Sequence, residues 1–462
     1  MKKNIIIYSL AALSLTMLAA CEKTLNVNPI NDAEEELAVR TSEDVEAILI
    51  GAYSDLGDAD VYGGSLFVAG ELLAGNRETD WTGTFETYTD IYNKDIKTVN
   101  NEVTNIWGNS YRVVSDVNIV LANINLVAPL KKAKVEGEAK FIRACLYFDL
   151  VRLFGKAWQD GDPTKNDGVP LVLKPYKTPL DDEDLPSRAP VSAVYEQVIK
   201  DLTDAENLLE VPGEGDYFAN KIAAQAMLAR VYLQKGDYTN AAAAANRAIE
   251  TNDAEGPFKL MSTYAAAFPI NDNRAAIIGN TAEDIFAIQV SNTDGVNDFF
   301  TYLSFRGRGD LNMTQLFMDQ FEANDDRAKS YDKERTNVFY TLKFNNPFAS
   351  VHIIRLAEVY LTRAEANFRK GQSLGADPVD DINLIRERAK LDPLDAADLT
   401  LDKILRERKL ELAFEGFTLP DIKRTMGTTG SFAWNANELV LPIPDRERRV
   451  NKNLSQNPGY GN

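Results

Sequence analysis

Residues 221–253 constrain the fold more than any other stretch. Leu228, Ala229, Tyr232, Gly236, Tyr238, Ala241 and Ala248 fall at the spacings of a tetratricopeptide unit, where small residues let two antiparallel helices approach closely. Amphipathic stripes run through much of the remaining chain. Over 136–154 the residues Phe141, Ile142, Cys145, Leu146, Phe148, Leu150 and Leu153 recur at spacings of three and four, with Arg143, Asp149 and Arg152 off the stripe, and Gly155 closes it. The segment 190–209 opens on proline, repeats Val194, Val198, Leu202, Ala205 and Leu209, and stops before Pro212 and Gly213. Residues 354–370 carry Ala357, Leu361, Ala364 and Phe368 on one face ahead of Gly371, and 381–389 and 401–414 add further helices.

This pattern predicts a mostly α fold: a tetratricopeptide-like helical scaffold with long irregular insertions containing short strands. The small positions Ala229 and Ala364 lie 135 residues apart, so the units do not form a contiguous array of 34-residue repeats. Insertions at about 56–110 and 251–350 separate them, mixing Gly, Asn and Asp with many aromatics and a strand-like run at 284–290. A single domain is expected over 33–462. Long irregular segments on a rigid scaffold are where binding usually resides.

The N-terminus reads as a secretory leader. Lys2 and Lys3 precede an apolar run over 5–18, shorter than the roughly 20 residues a membrane-spanning helix needs. The run ends in Leu18-Ala19-Ala20-Cys21, which resembles a bacterial lipobox with Cys21 as the lipidated residue. Residues 1–20 are then a signal peptide and 21–32 a polar tether containing Pro29. Two or more acyl chains, at about 0.8 kcal/mol per buried CH2, anchor a protein stably. The competing reading is an ordinary cleaved signal with an incidental cysteine after it. With Cys21 acylated, Cys145 has no partner for an intramolecular disulfide, and its place on an apolar stripe makes it a small core residue. A formal net charge of -19 works against nucleic acid, whose binding needs clustered Lys and Arg, and against adhesion to anionic lipid. Membrane attachment is therefore through the lipid anchor only.

Catalytic parts are scarce. The single histidine, His352, lies in the apolar run Val351-His352-Ile353-Ile354, so any Ser-His or Cys-His pair would depend on it. A pair of carboxylates can hydrolyse a glycosidic bond, but among 69 acids sequence pairs carry no information. Asp181-Asp182-Glu183-Asp184 reads as a solvated loop, with a calcium site as the alternative. Arg306-Gly307-Arg308-Gly309-Asp310 lacks the Lys-Ser or Lys-Thr of a phosphate loop, leaving a basic turn toward ligand or partner, or a plain surface turn. No catalytic residue, metal or cofactor is assigned.

Binding is better supplied. Asn76, Arg77, Trp81, Phe85, Tyr88 and Tyr92 share one polar stretch, where aromatic faces can stack on sugar rings while Asn and Arg hydrogen-bond hydroxyls. Trp81 and Tyr88 are the candidate stacking platforms and Asn76 and Arg77 the polar contacts. Tyr92, Arg306 and Arg308 complete the candidate set. The same aromatics could instead pack the insertion onto its scaffold. Trp107, Tyr111 and Trp434 read as packing residues.

A series of landmarks now falls into order. Arg143-Ala144 runs through Tyr147-Phe148 to Arg152-Leu153-Phe154-Gly155, followed by Gly168-Val169-Pro170-Leu171 and by Tyr195 with Asp201-Leu202 and Leu208-Leu209. Arg355-Leu356-Ala357-Glu358, Arg363-Ala364-Glu365-Ala366, Ile382-Asn383 with Arg386 and Arg388-Ala389, and Glu407-Arg408 come next. Glu411 to Gly416, Asp421-Ile422-Lys423-Arg424 and the closing Leu441-Pro442-Ile443-Pro444 through Gln456-Asn457-Pro458-Gly459-Tyr460 complete it. With Cys21 the series resembles the SusD/RagB family. One departure is that Phe417-Thr418-Leu419-Pro420 stands where the family places a basic residue and an aromatic.

The resemblance implies a surface-exposed lipoprotein of the cell outer membrane that sits as a lid on a TonB-dependent outer-membrane transporter of the SusC type. Its helical repeats would face the barrel and its insertions would hold a glycan ligand without transforming it. An oligopeptide ligand, a helical interaction scaffold without small ligand and a carboxylate-based hydrolase are the alternatives. If Cys21 carries the anchor, Cys21→Ala should move the protein out of the membrane fraction; a variant that stays there through detergent-free salt washes would contradict the acylation.

Overall fold

Local chemistry sets the ends of the scaffold helices. The computed structural model describes residues 39–176, 185–293, 295–335 and 337–461, so the leader, Cys21, the tether and the acidic run 181–184 lie outside the described residues. Helix α1 (Ser42–Leu56) starts on a reciprocal cap between Thr41 and Asp44. Helices α2 (Ser65–Ala74) and α3 (Glu86–Asn93) follow. In α4 (Asn101–Ala122) the Asn100 side chain accepts the Val103 N–H. Helix α5 (Pro129–Phe154) begins ahead of the stripe read from residue 136, because Pro129 presets the first turn and needs no N–H there. After α6 (Val191–Leu208), Asn220 caps α7 (Lys221–Lys235) and Asp237 caps α8 (Tyr238–Glu255).

The scaffold is a ribbon in which each helix packs on the next: α1 on α4, α4 on α5, α5 on α6, α6 on α7 and α7 on α8. Ala241, Ala244, Ala245 and Ala248 are fully buried, so α8 can approach a neighbour on each side. The excursion after α8 contains the short helices α9 (Asp298–Leu303) and α10 (Gln315–Met318). The scaffold resumes at α11 (Leu356–Lys370), which packs on α8 as though the intervening segment were absent. Helices α12 (Pro378–Arg388) and α13 (Leu401–Glu411) lie on α11, followed by α14 (Thr418–Arg424) and α15 (Asp445–Val450). The ribbon is thus interrupted in sequence and continuous in space.

Among the described residues, eight short strands lie in or beside the excursions: β1 (Thr79–Trp81), β2 (Asp284–Ile288), β3 (Leu311–Met313), β4 (Tyr331–Arg335), β5 (Val338–Thr341), β6 (Val351–Arg355), and the hairpin β7 (Thr428–Thr429) and β8 (Phe432–Ala433). The largest sheet runs β1-β3-β5-β4. Its antiparallel pair β1–β3 sets Thr79 opposite Met313 and Trp81 opposite Leu311, so the two insertions form one body. Strands β2 and β6 pair antiparallel and close the second excursion at its base. His352, on β6, hydrogen-bonds Asp284 and sets its ring edge-on to Phe268, a structural placement.

A buried ionic network holds that base to the scaffold. Arg355, fully buried, donates to Glu283 (2.5 Å), Glu415 (2.7 Å) and Glu411 (3.2 Å). Arg388 binds Glu283 (2.6 Å) and Glu411, and Lys343 reaches Glu415 (2.6 Å) and the Ala413 carbonyl (2.9 Å). Arg327 joins Asp325 (2.8 Å) to Glu407 (2.9 Å). Burial pushes the Glu415 carboxyl up, yet Arg355 and Lys343 hold it down at about 2. Removing one member strands opposite charges where water cannot reach them. We therefore expect Arg355→Ala to cost about 3–5 kcal/mol, read as the fall in the urea unfolding midpoint; a loss under about 1 kcal/mol would contradict the network's structural role.

Candidate functional site

The strand pair β1–β3 assembles an aromatic cluster from both excursions. Trp81, at the end of β1, packs against Tyr88 (ring centroids 5.8 Å apart) and Tyr302 of α9 (6.1 Å), and its indole N–H donates to Thr89 Oγ1 (2.9 Å). Tyr88 and Tyr302 are 4.7 Å apart. Trp81, Tyr88 and Tyr302 are all buried, and Gly83 lies so close on the indole that a Cβ there would sit 2.3 Å from it. As placed, Trp81 and Tyr88 present no open face. The ring that reaches solvent is Phe85, 44% exposed, edge-on to Tyr88 (6.5 Å) and Tyr302 (6.3 Å).

Arg308 completes this surface. Its guanidinium lies over Phe85, 4.5 Å from the ring centroid, and is oriented by Nε donating to Asp310 (2.6 Å). Arg306, on the same loop, reaches Asp272 (3.2 Å), and Phe305 just before it is 48% exposed. Three candidates, Trp81, Tyr88 and Arg308, are thus brought together with Phe85, and Arg306 lies two residues before Arg308 on the loop. Tyr302 and Phe305 were missed in the sequence; the signal was their position directly ahead of the Arg-Gly-Arg-Gly turn.

The remaining candidates lie toward the other end of β1. Asn76 accepts the Glu78 N–H (2.7 Å) and lines a separate cavity of about 220 Å³ with Leu405, Lys409, Phe417 and Thr428. Arg77 is exposed, and its carbonyl accepts from Thr314 Oγ1 (2.8 Å). Tyr92 donates to the Thr79 carbonyl (3.0 Å), and Lys94 lies over its ring, so it pins α3 to β1. Phe417, at the departure from the family pattern, sits between the guanidinium groups of Arg230 (4.9 Å) and Arg408 (5.2 Å).

Carboxylates underlie the aromatic cluster. Ser65 donates to Asp298 (2.7 Å), so the Tyr88 hydroxyl must donate to Ser65 (2.8 Å). Burial pushes Glu102 up to about 7, and burial pushes Asp298 up to about 6 against the hydrogen bond from Ser65. Burial drives the Cys145 thiol well above its ordinary value, which leaves it unreactive. Among the described residues no three His, Cys, Asp or Glu side chains gather as a metal site, and no helix is long and apolar enough to cross a membrane.

A family described as "Starch-binding associating with outer membrane" matches residues 25–233, and one described as "SusD family" matches 337–440. SusD-like protein P2 of Formosa agariphila is 26% identical, with 96% of this chain and 98% of that protein covered. Starch-binding protein SusD of Bacteroides thetaiotaomicron is 35% identical over 127 residues, 25% of this chain and 22% of that one. A crystal structure of a SusD superfamily protein from Bacteroides vulgatus superposes with a TM-score of 0.81 at 24% identity, covering 92% of this chain and 100% of that one.

The raised carboxyl of Glu102 has a measurable sign. A buried acid with an elevated folded value stabilises the fold while protonated, and that contribution is lost as pH rises from its ordinary 4.5 through about 7. Glu102→Gln should match wild type near pH 5 and exceed it on the order of 1–2 kcal/mol near pH 8. Urea midpoints at the two pH values measure this, and a difference independent of pH would contradict it.

Proposed function

The chain belongs to the SusD family, and from that premise we propose that it captures glycan fragments at the cell surface and passes them to a TonB-dependent transporter of the SusC type. Cys21 anchors it in the outer membrane, residues 33–462 form one body, and the cargo is bound without being cleaved. The relative from Bacteroides thetaiotaomicron is named as starch-binding, and the first family's description includes association with the outer membrane. Both support this reading.

The observation that carries it is the pairing of an exposed ring, Phe85, with the guanidinium of Arg308 on a base of buried aromatics. Sugar rings offer apolar C–H faces and hydroxyl edges, which suit an aromatic platform and an adjacent fan of N–H donors. Tyr88 and Tyr302, themselves packed by Trp81, fix the pitch of Phe85, so little side-chain freedom is lost on binding. Phe85 is thus the stacking ring, Trp81 and Tyr88 support it, and Arg306 and Arg308 are the polar contacts. Asn76, Arg77 and Tyr92 shape the strand that carries the platform.

Affinity electrophoresis through gels holding candidate polysaccharides tests the assignment. Phe85→Ala should lose at least tenfold in affinity, about 1.4 kcal/mol, while keeping the wild-type unfolding midpoint. Equal retardation of variant and wild type in every gel that retards the wild type would remove Phe85 from the site.

A further inference from the structure

Resting on the reading that Phe85 stacks on sugar, we propose that the 304–310 loop makes this site select acidic glycans, those bearing carboxylate or sulfate groups. The sequence carries a formal net charge of -19, yet this loop sets Arg306 and Arg308 two residues apart and lays the Arg308 guanidinium over the one open ring of the aromatic cluster, while Arg274 lies over Phe300, just ahead of the loop. Their carboxylate neighbours are Asp310, on Arg308, and Asp272, on Arg306.

The loop is built to hold this arrangement. Ser304 donates to Asn345 (2.5 Å), the Gly307 N–H to the Ser304 carbonyl (3.0 Å), and the Arg308 N–H to the Thr301 carbonyl (2.8 Å). A Cβ at Gly307 would meet the Phe300 carbonyl at 2.2 Å, and one at Gly309, where φ is +59°, would meet the Tyr340 ring at 2.6 Å. Both glycines are therefore required for the chain to turn tightly between its two arginines.

The arginines retain capacity for an anion. Arg308 uses Nε on Asp310 and makes only a long contact from Nη2 to Thr84 (3.4 Å); Nη1 has no hydrogen-bond partner among the described residues. Arg306 is paired with Asp272, whose side chain is 98% exposed, so the pair is weak and an incoming anion can replace it. A carboxylate or sulfate on a sugar stacked at Phe85 would meet a guanidinium already fixed in orientation, the geometry that favours bidentate binding.

The test uses polymers differing only in charge: polygalacturonate against its methyl ester, dextran sulfate against dextran, and carrageenan against the same carrageenan chemically desulfated. The full-length protein should bind the charged member of at least one pair tenfold or more tighter than its neutral counterpart, and 500 mM NaCl should erase most of that ratio. Arg306→Gln combined with Arg308→Gln should bring the ratio close to one with an unchanged unfolding midpoint. A wild type that binds neutral members as tightly as charged ones overturns the acid preference and leaves the glycan reading standing. A double variant that keeps the tenfold ratio overturns the role of the loop, and a wild type that binds no member of any pair overturns both readings.

Discussion

The fold depends on buried charge neutralised by oppositely charged neighbours from distant parts of the chain. Lys343 within the second excursion and Arg355 at its exit bind Glu411, the last residue of α13, and Glu415 beyond it, and Arg355 also binds Glu283 at the excursion's entry. Ions taken out of water cost several kcal/mol each unless opposite charges and hydrogen bonds surround them. The network is therefore tolerable only in one arrangement, and that arrangement seats the excursion at a fixed place on the helical ribbon. Beyond it, Arg230 with Glu358, Arg363 with Asp381, and Arg424 with Glu365 bind scaffold helices to one another in the same way.

The site follows from that seating. With the base of the second excursion fixed, β3 lies where β1 can pair with it, and the pairing brings Tyr302 and Arg308 to Trp81, Tyr88 and Phe85. Neither excursion holds the platform alone. A binding surface shared between two loops on a rigid scaffold gains its precision from the scaffold and its chemistry from the loops.

Much of this was legible in the sequence, and the limits have physical causes. Helices α5, α6, α7 and α8 were readable because their stripes and caps are local, though Pro129 moved the start of α5 forward. The charged landmarks, Arg355 and Glu358, Arg363 and Glu365, Glu411 and Glu415, stood out by spacing. Their role did not, because each partner lies tens to more than a hundred residues away. The same limit governs the site. Trp81 and Tyr88 share a polar stretch with Phe85, but which ring faces water is decided by Tyr302 and Leu311, more than 200 residues along the chain. Asn76 and Arg77 are close to Trp81 in sequence, yet an extended strand carries them away from the aromatic surface.

The central claim is that the shared surface at Phe85 and Arg308 receives the cargo. The most direct measurement is a crystal structure of the protein with a bound oligosaccharide taken from whichever polymer retards it in a gel. The account predicts a sugar ring packed on Phe85 with a polar substituent hydrogen-bonded to Arg308, and Trp81 unmoved beneath it. A sugar seated in the cavity lined by Asn76 and Phe417, with Phe85 untouched, would contradict it.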